Sequence, residues 1–121
     1  IINKNNGGKM TITIQNVEEA KETIKTNDIV LFMKGTKDMP GCGFSAHVVQ
    51  ILNKMNVKYI DVDILHDDNF KENMKKFTNW PTFPQLYVKG EFVGGCDIIK
   101  EMFESGELLE LFNTKGIDVK I

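Results

Sequence analysis

The sequence predicts an α/β domain in which one mixed, four-stranded sheet carries helices on both faces. Three observations lead there. Helix-period and strand-period segments alternate along the chain. The apolar run at 29–33 precedes a helical stripe and a second strand-like run, which together make a βαβ unit. Two further strand-like runs flank Lys89-Gly90, a two-residue hairpin turn.

Taken in order, residues 1–15 read as a loosely held tail, because Asn3, Asn5, Asn6, Gly7 and Gly8 make the start polar and glycine-containing. From Asn16, the spacing Val17, Ala20, Ile24 with Glu18, Glu19, Lys21 and Glu22 between them predicts an amphipathic helix. Residues 29–33 predict a buried strand, and Asp38-Met39-Pro40-Gly41 a loop. Val48, Val49, Ile51, Leu52 and Met55 lie on one helical stripe. Residues 58–64 alternate as a strand, Tyr59 against Ile60, Val62 and Ile64. Asp67 or Asp68 caps a helix carrying Phe70, Met74 and Phe77, and Pro81 and Pro84 break it. Runs at 85–89 and 91–93 form the hairpin. Closing helices carry Ile98, Ile99, Met102 and Phe103, then Leu108, Leu109, Leu111 and Phe112. The domain spans 16–113, and 114–121 read as a C-terminal tail.

The length of 121 residues suits one domain. A net charge of −2 argues against a nucleic-acid binder, which needs a basic face. No apolar run approaches the length of a membrane span. All 15 cationic side chains are Lys, so any anion site must use lysines, helix ends and backbone N–H groups. The chain opens on Ile1 rather than Met, which leaves room for a preceding targeting segment.

The 2 cysteines, Cys42 and Cys96, are too few for a disulfide scaffold or a self-contained four-cysteine metal site. Cys42-Gly43-Phe44-Ser45 stands where a loop after a strand turns into a helix. The unpaired N–H groups of a first helical turn favour an anion, so a thiol there is pulled toward thiolate and becomes a nucleophile and soft-metal ligand. Lys34, at the end of the preceding strand, adds a positive charge, and Gly41 and Gly43 keep the sulfur uncrowded. Ser45 in the fourth position cannot resolve a mixed disulfide as a second cysteine would. Phe44 is expected to be exposed beside the thiol. His47, five residues from Cys42, and His66, in a loop, read as surface histidines rather than ligands.

Four segments in register now carry a resemblance: Lys34-Gly35-Thr36 with Pro40, Cys42-Gly43-Phe44-Ser45, Trp80-Pro81-Thr82-Phe83-Pro84-Gln85, and Gly94-Gly95-Cys96-Asp97. Over residues 16–113 the chain resembles the monothiol glutaredoxins of the CGFS type. The resemblance implies a thioredoxin fold, glutathione binding, and a 2Fe–2S cluster shared between the two subunits of a homodimer.

In that scheme Lys34 and Lys71 are the cations for one glutathione carboxylate. Lys71 stands where the family usually has Arg, and it lacks the bidentate fork. Phe83, before a cis Pro84, offers its backbone to the extended ligand. The N–H groups of Cys96 and Asp97 take the γ-glutamyl carboxylate, and the Asp97 carboxylate takes the ammonium. Asp97 also reads as the helix N-cap. One Cys42 thiolate and one glutathione thiolate per subunit complete the four cluster ligands in a dimer. Cys96 is assigned a structural role, with a regulatory disulfide to Cys42 as a hypothesis.

Two activities remain open on the same residues. One is a carrier delivering clusters to apo iron–sulfur proteins, with a BolA-like partner suggested by the resemblance. The other is a glutathione-dependent oxidoreductase removing glutathione from mixed disulfides through Cys42 alone. The long segment 35–41 marks the CGFS branch, in which such catalysis is weak, and favours the carrier. The resemblance leans to a mitochondrial location, with the cytoplasm as the alternative.

Overall fold

The computed structural model describes residues 14–120, together with the backbone of Ile2–Lys4 and Met10–Ile12. Those two short segments, strands β1 (Ile2–Lys4) and β2 (Met10–Ile12), pair antiparallel with Ile2 opposite Ile12 and Lys4 opposite Met10. They fall within the stretch read as a loose tail, of which the remainder up to residue 13 lies outside the described residues. The chain then runs α1 (Val17–Thr26), β3 (Ile29–Met33), α2 (Gly43–Met55), β4 (Ile60–Asp63), α3 (Asp68–Thr78), β5 (Gln85–Val88), β6 (Glu91–Gly94), α4 (Cys96–Ser105) and α5 (Glu107–Thr114).

Strands β4-β3-β5-β6, in that order, form the main sheet. β3 and β4 are parallel, joined through α2; β5 lies antiparallel on the other side of β3, and β6 antiparallel to β5. This is the mixed sheet expected. The hairpin turn has φ of 49° at Lys89 and 84° at Gly90, the double positive φ of a type I′ turn. Lys89 tolerates the left-handed conformation because both ends of the residue are tied to Asp28, its N–H to the carbonyl at 2.7 Å and its ammonium to the carboxylate at 2.9 Å.

Alternation along the strands divides the core in two. Ile29, Leu31, Met33, Leu86 and Val88 face α2, α4 and α5, packing on Val48, Leu52, Ile99, Leu108 and Phe112. Val30, Phe32, Val62 and Tyr87 face α1 and α3, packing on Ala20, Ile24, Phe70 and Met74. β3 is central and buried on both faces, which is why its five residues read as an unbroken apolar run. Each fully buried Phe contributes about 1.5–3 kcal/mol relative to an exposed one, and Phe32, Phe70 and Phe112 anchor the two halves.

The helix ends follow the expected chemistry, with one exception. Asn16 and Asp67 cap α1 and α3 through their side chains. The N-cap of α4 is Gly95, not Asp97, which lies within the first turn. Both ends of the domain are held. Ile14 is fully buried against the α1 side, and Ile117 packs under α5. Lys120 donates its N–H to Met55 O at 3.1 Å, while its carbonyl accepts from Asn56 Nδ2. Among the described residues, no helix is long and apolar enough to cross a membrane.

Candidate functional site

The carboxyl ends of β3 and β4 lead into the loops that build the site. After Lys34, residues 35–41 form a small hairpin: Thr36 and Met39 exchange backbone hydrogen bonds, and Gly41 donates to Lys34 O at 2.7 Å. At its base Gly35 has φ of 85°, and a methyl group there would stand 2.5 Å from Met39 O and 2.6 Å from Gly41 N. Only glycine fits between those backbone atoms. Two carboxylates of β4 hold the hairpin in place. Asp63 Oδ1 accepts from the N–H groups of Gly35 at 3.0 Å and Leu65 at 2.8 Å, and Asp61 Oδ2 accepts from Lys37 N–H at 2.8 Å.

The hairpin delivers Cys42 as the N-cap of α2, in extended conformation. Its sulfur accepts the Ser45 N–H at 3.4 Å and stands 3.5 Å from Ser45 Oγ. That hydroxyl is fully buried and also accepts the Lys34 N–H at 3.1 Å. Partial burial pushes the Cys42 thiol up. Hydrogen bonds from the Ser45 side chain and from the Ser45 and Phe44 amides, with the Lys34 charge, outweigh it, so the thiol lies below its ordinary value. The half-exposed sulfur is thus suited to act as a nucleophile or a metal ligand. Met39 and Phe44, close to Cys42 in the chain, are exposed to 79% and 65%, and Leu65, whose Cδ1 would stand 3.2 Å from a methyl group at Gly41, to 47%.

The second half of the site comes from the opposite side of β3. The Phe83–Pro84 peptide is cis, and the Phe83 ring is buried beneath the sheet on the α1 and α3 side. Among the described residues, neither the N–H nor the carbonyl of Phe83 has a hydrogen-bond partner. An extended peptide needs such an unpaired edge to add to. At the far end, β6 passes through Gly94 and Gly95 into α4, which has no side-chain cap. The amides of Cys96 and Asp97 therefore remain open to an anion. Burial and the Asp97 charge, with a smaller contribution from Cys42, push the Cys96 thiol up against the opposing Lys100 charge. Both cysteines are free thiols.

Of the residues singled out in the sequence, Lys34 and Cys96 are electrostatically coupled to Cys42, and Asp97 follows Cys96 directly. Lys71 stands in the first part of α3, where its amide bonds Asp67 O. Among the described residues, no ion pair or hydrogen bond ties its ammonium to Cys42, Phe83 or the α4 terminus. His66 is exposed and bonds Asp63 O at 2.7 Å, and His47 is half-buried. No group of three or more His, Cys, Asp or Glu side chains gathers to hold a metal among the described residues. Two open cavities of about 310 and 510 Å³ share Lys58, Tyr59 and Ile60; the larger also reaches Lys37 and Asp38 of the 35–41 hairpin, and neither includes Cys42.

Several supporting residues were not evident in the sequence. Ser45 looked like a missing thiol, yet it is the buried hydroxyl between Lys34 and Cys42. Gln85, fully buried, donates Nε2 to Trp80 O at 3.2 Å and Thr82 O at 3.0 Å. Asp61 and Asp63 did carry a signal: two carboxylates at i and i+2 share one face of a strand, which requires partners there.

Comparison with known proteins agrees with this arrangement. A sequence model of the glutaredoxin family, described as "Glutaredoxin", matches residues 29–93. The chain is 56% identical over 94 residues to the "Probable monothiol glutaredoxin 2" of Rickettsia typhi, covering 78% of this chain and 85% of that one. It is 50% identical over 99 residues to the chloroplastic "Monothiol glutaredoxin-S14" of Arabidopsis thaliana, covering 82% and 57%. Among solved structures, a monomeric truncated mutant of Trypanosoma brucei 1-C-Grx1 superposes with a TM-score of 0.81 at 35% identity, covering 89% of this chain and 98% of that one. A buckwheat glutaredoxin–glutathione complex shares the fold, with a TM-score of 0.71 at 20% identity over 83% and 89%. With its thioredoxin-type sheet and a single thiol at the head of α2, the chain belongs to the glutaredoxin family and, within it, to the monothiol glutaredoxins.

Proposed function

We propose that this monothiol glutaredoxin binds glutathione and carries a 2Fe–2S cluster as a glutathione-ligated homodimer, delivering it to apo iron–sulfur proteins. One observation carries the reading. The only thiol favoured as thiolate, Cys42, stands half-exposed at a helix N terminus, and no group of three or more metal-ligating side chains gathers around it among the described residues. A cluster requiring four ligands, commonly thiolates, must then draw the others from outside the chain. The open Phe83 backbone and the uncapped α4 terminus support a γ-glutamyl peptide as their source. A buckwheat relative of the same fold has been solved with glutathione. Lys34 supplies the cation for one glutathione carboxylate, with Lys71 as a second, less directional one. Cargo held partly by exogenous thiols is released more readily than cargo held by the chain alone.

Anaerobic cluster reconstitution with and without glutathione tests the reading. We expect visible cluster absorbance that requires glutathione, coincides with dimerisation and disappears in Cys42→Ser. Rapid turnover of a small glutathione mixed disulfide with no cluster formed would instead establish the oxidoreductase, which uses the same lowered thiol as nucleophile.

A further inference from the structure

A buried side chain, Gln85, and a half-buried one, Trp80, link the halves of the ligand site. Gln85 opens β5 opposite Phe32 of the central strand, and it is fully buried. Its amide Nε2 donates to both Trp80 O and Thr82 O, closing the bend that precedes Phe83. The Trp80 N–H bonds Lys75 O at 3.3 Å, so the bend is also tied to the end of α3. The indole of Trp80 crosses to the other half of the site. It packs on Phe92 of β6, ring centroids 5.4 Å apart, and lies directly against Gly95. A methyl group at position 95 would stand 3.3 Å from Trp80 Nε1 and 3.4 Å from Pro84 O.

Gly95 is the N-cap of α4, so the indole backs the turn that aims the Cys96 and Asp97 amides. The bend and the helix terminus thus rest on one strut, itself anchored on the middle of the sheet. We propose that Gln85 and Trp80 are positioning residues that set the separation between the Phe83 backbone and the N terminus of α4, and so make the site selective for γ-glutamyl-cysteine peptides. This rests on the glutathione reading above.

The reason is geometric. A γ-glutamyl peptide engages the Phe83 edge with its cysteine and the α4 amides with its γ-glutamyl carboxylate. The second contact gains from the first only when the two are held at the matching distance. Cysteinylglycine lacks the γ-glutamyl group and spans only Phe83 and the lysines, so the strut has no effect on it.

The test measures affinities of the full chain for glutathione, γ-glutamylcysteine and cysteinylglycine, followed by the amide shifts of Cys96 and Asp97 and of Thr82 and Phe83. In Gln85→Met, which keeps the volume and removes the donor, both γ-glutamyl ligands are expected to lose about tenfold, the scale of one lost buried hydrogen bond. Cysteinylglycine is expected to change less than about twofold. Trp80→Leu, at a half-buried position, is expected to behave alike and serves if Gln85→Met does not fold. Alkylation of Cys42 at wild-type rate checks that the first half of the site is intact. Equal losses for all three ligands, or unchanged glutathione affinity, overturn the strut. A wild-type chain that binds no glutathione overturns instead the reading on which it rests.

Discussion

Lys34 reaches Cys42 by two routes that leave its residue from opposite ends. Its ammonium adds positive charge near the sulfur, while its backbone N–H bonds the Ser45 hydroxyl at 3.1 Å, which in turn stands 3.5 Å from Sγ. Ser45 Oγ thus accepts from both the Lys34 N–H and the neutral thiol, and its own O–H is free to donate to the sulfur once the thiol ionises. The serine of the Cys-Gly-Phe-Ser turn is therefore an acceptor for the thiol and a donor available to the thiolate.

Removing that donor should make Cys42 less acidic. In Ser45→Ala the burial that opposes ionisation remains while the side-chain hydrogen bond is lost. The pH midpoint of Cys42 alkylation is expected to move up, and the rate at neutral pH to fall. Ser45→Thr, which retains the hydroxyl, should keep the midpoint close to wild type. An unchanged midpoint in Ser45→Ala would show the hydroxyl to be a spectator.

Lys34→Ala separates the two routes, since it deletes the charge and leaves the backbone N–H. The fold should be intact, with the same melting temperature within a few degrees. Glutathione affinity is expected to fall about fivefold, as for one charge-assisted contact at a half-exposed site. Calorimetric titration measures it, and unchanged affinity removes Lys34 from the site.

Two glycines on either side of Cys42 should respond in opposite ways to alanine. Gly35→Ala forces a methyl group against backbone at a φ of 85°, and is expected to cost about 1–3 kcal/mol in denaturant unfolding. Gly43→Ala meets nothing within 4 Å and lies in the first turn of α2. It should be neutral or stabilise by up to about 1 kcal/mol. Equal costs would mean the 35–41 hairpin is not the tight turn described.

The 2 tyrosines should mark alkaline unfolding. Burial pushes Tyr59 up to about 12, helped by the Asp61 and Asp38 charges, and burial alone pushes Tyr87 up to about 12. A phenol raised in the folded state from about 10 contributes stability that is present below that pH and lost as pH rises through about 12. Tyrosinate absorbance should therefore appear late, together with loss of far-ultraviolet dichroism. Ionisation near pH 10 with the dichroism intact would show that the rings are accessible to solvent.

From α1 onward the order of elements, the thiol at a helix start and the two-residue hairpin turn were legible in the chain, because each is dictated by local chemistry, whereas β1 and β2 lie in the stretch read as a tail. An unbroken apolar run at 29–33 marks a strand buried on both faces, Pro40 and Gly41 prevent a helix from beginning early, and Lys89-Gly90 turns a hairpin. The tertiary structure decided what those elements do for one another. Asp67 caps α3 as its position suggested, but α4 takes Gly95 as N-cap and leaves the Cys96 and Asp97 amides open, and Trp80 and the Pro84 carbonyl would crowd a side chain at 95. Ser45, Asp63 and Gln85 act through partners 11, 28 and 3 to 5 residues away. For Ser45 and Asp63 no sequence period encodes such distances. For Gln85 the span is short, but its donor role depends on a bend that only the packed sheet holds in place. Local patterns determine where backbone can be helical or extended, and packing determines which buried polar group finds which partner.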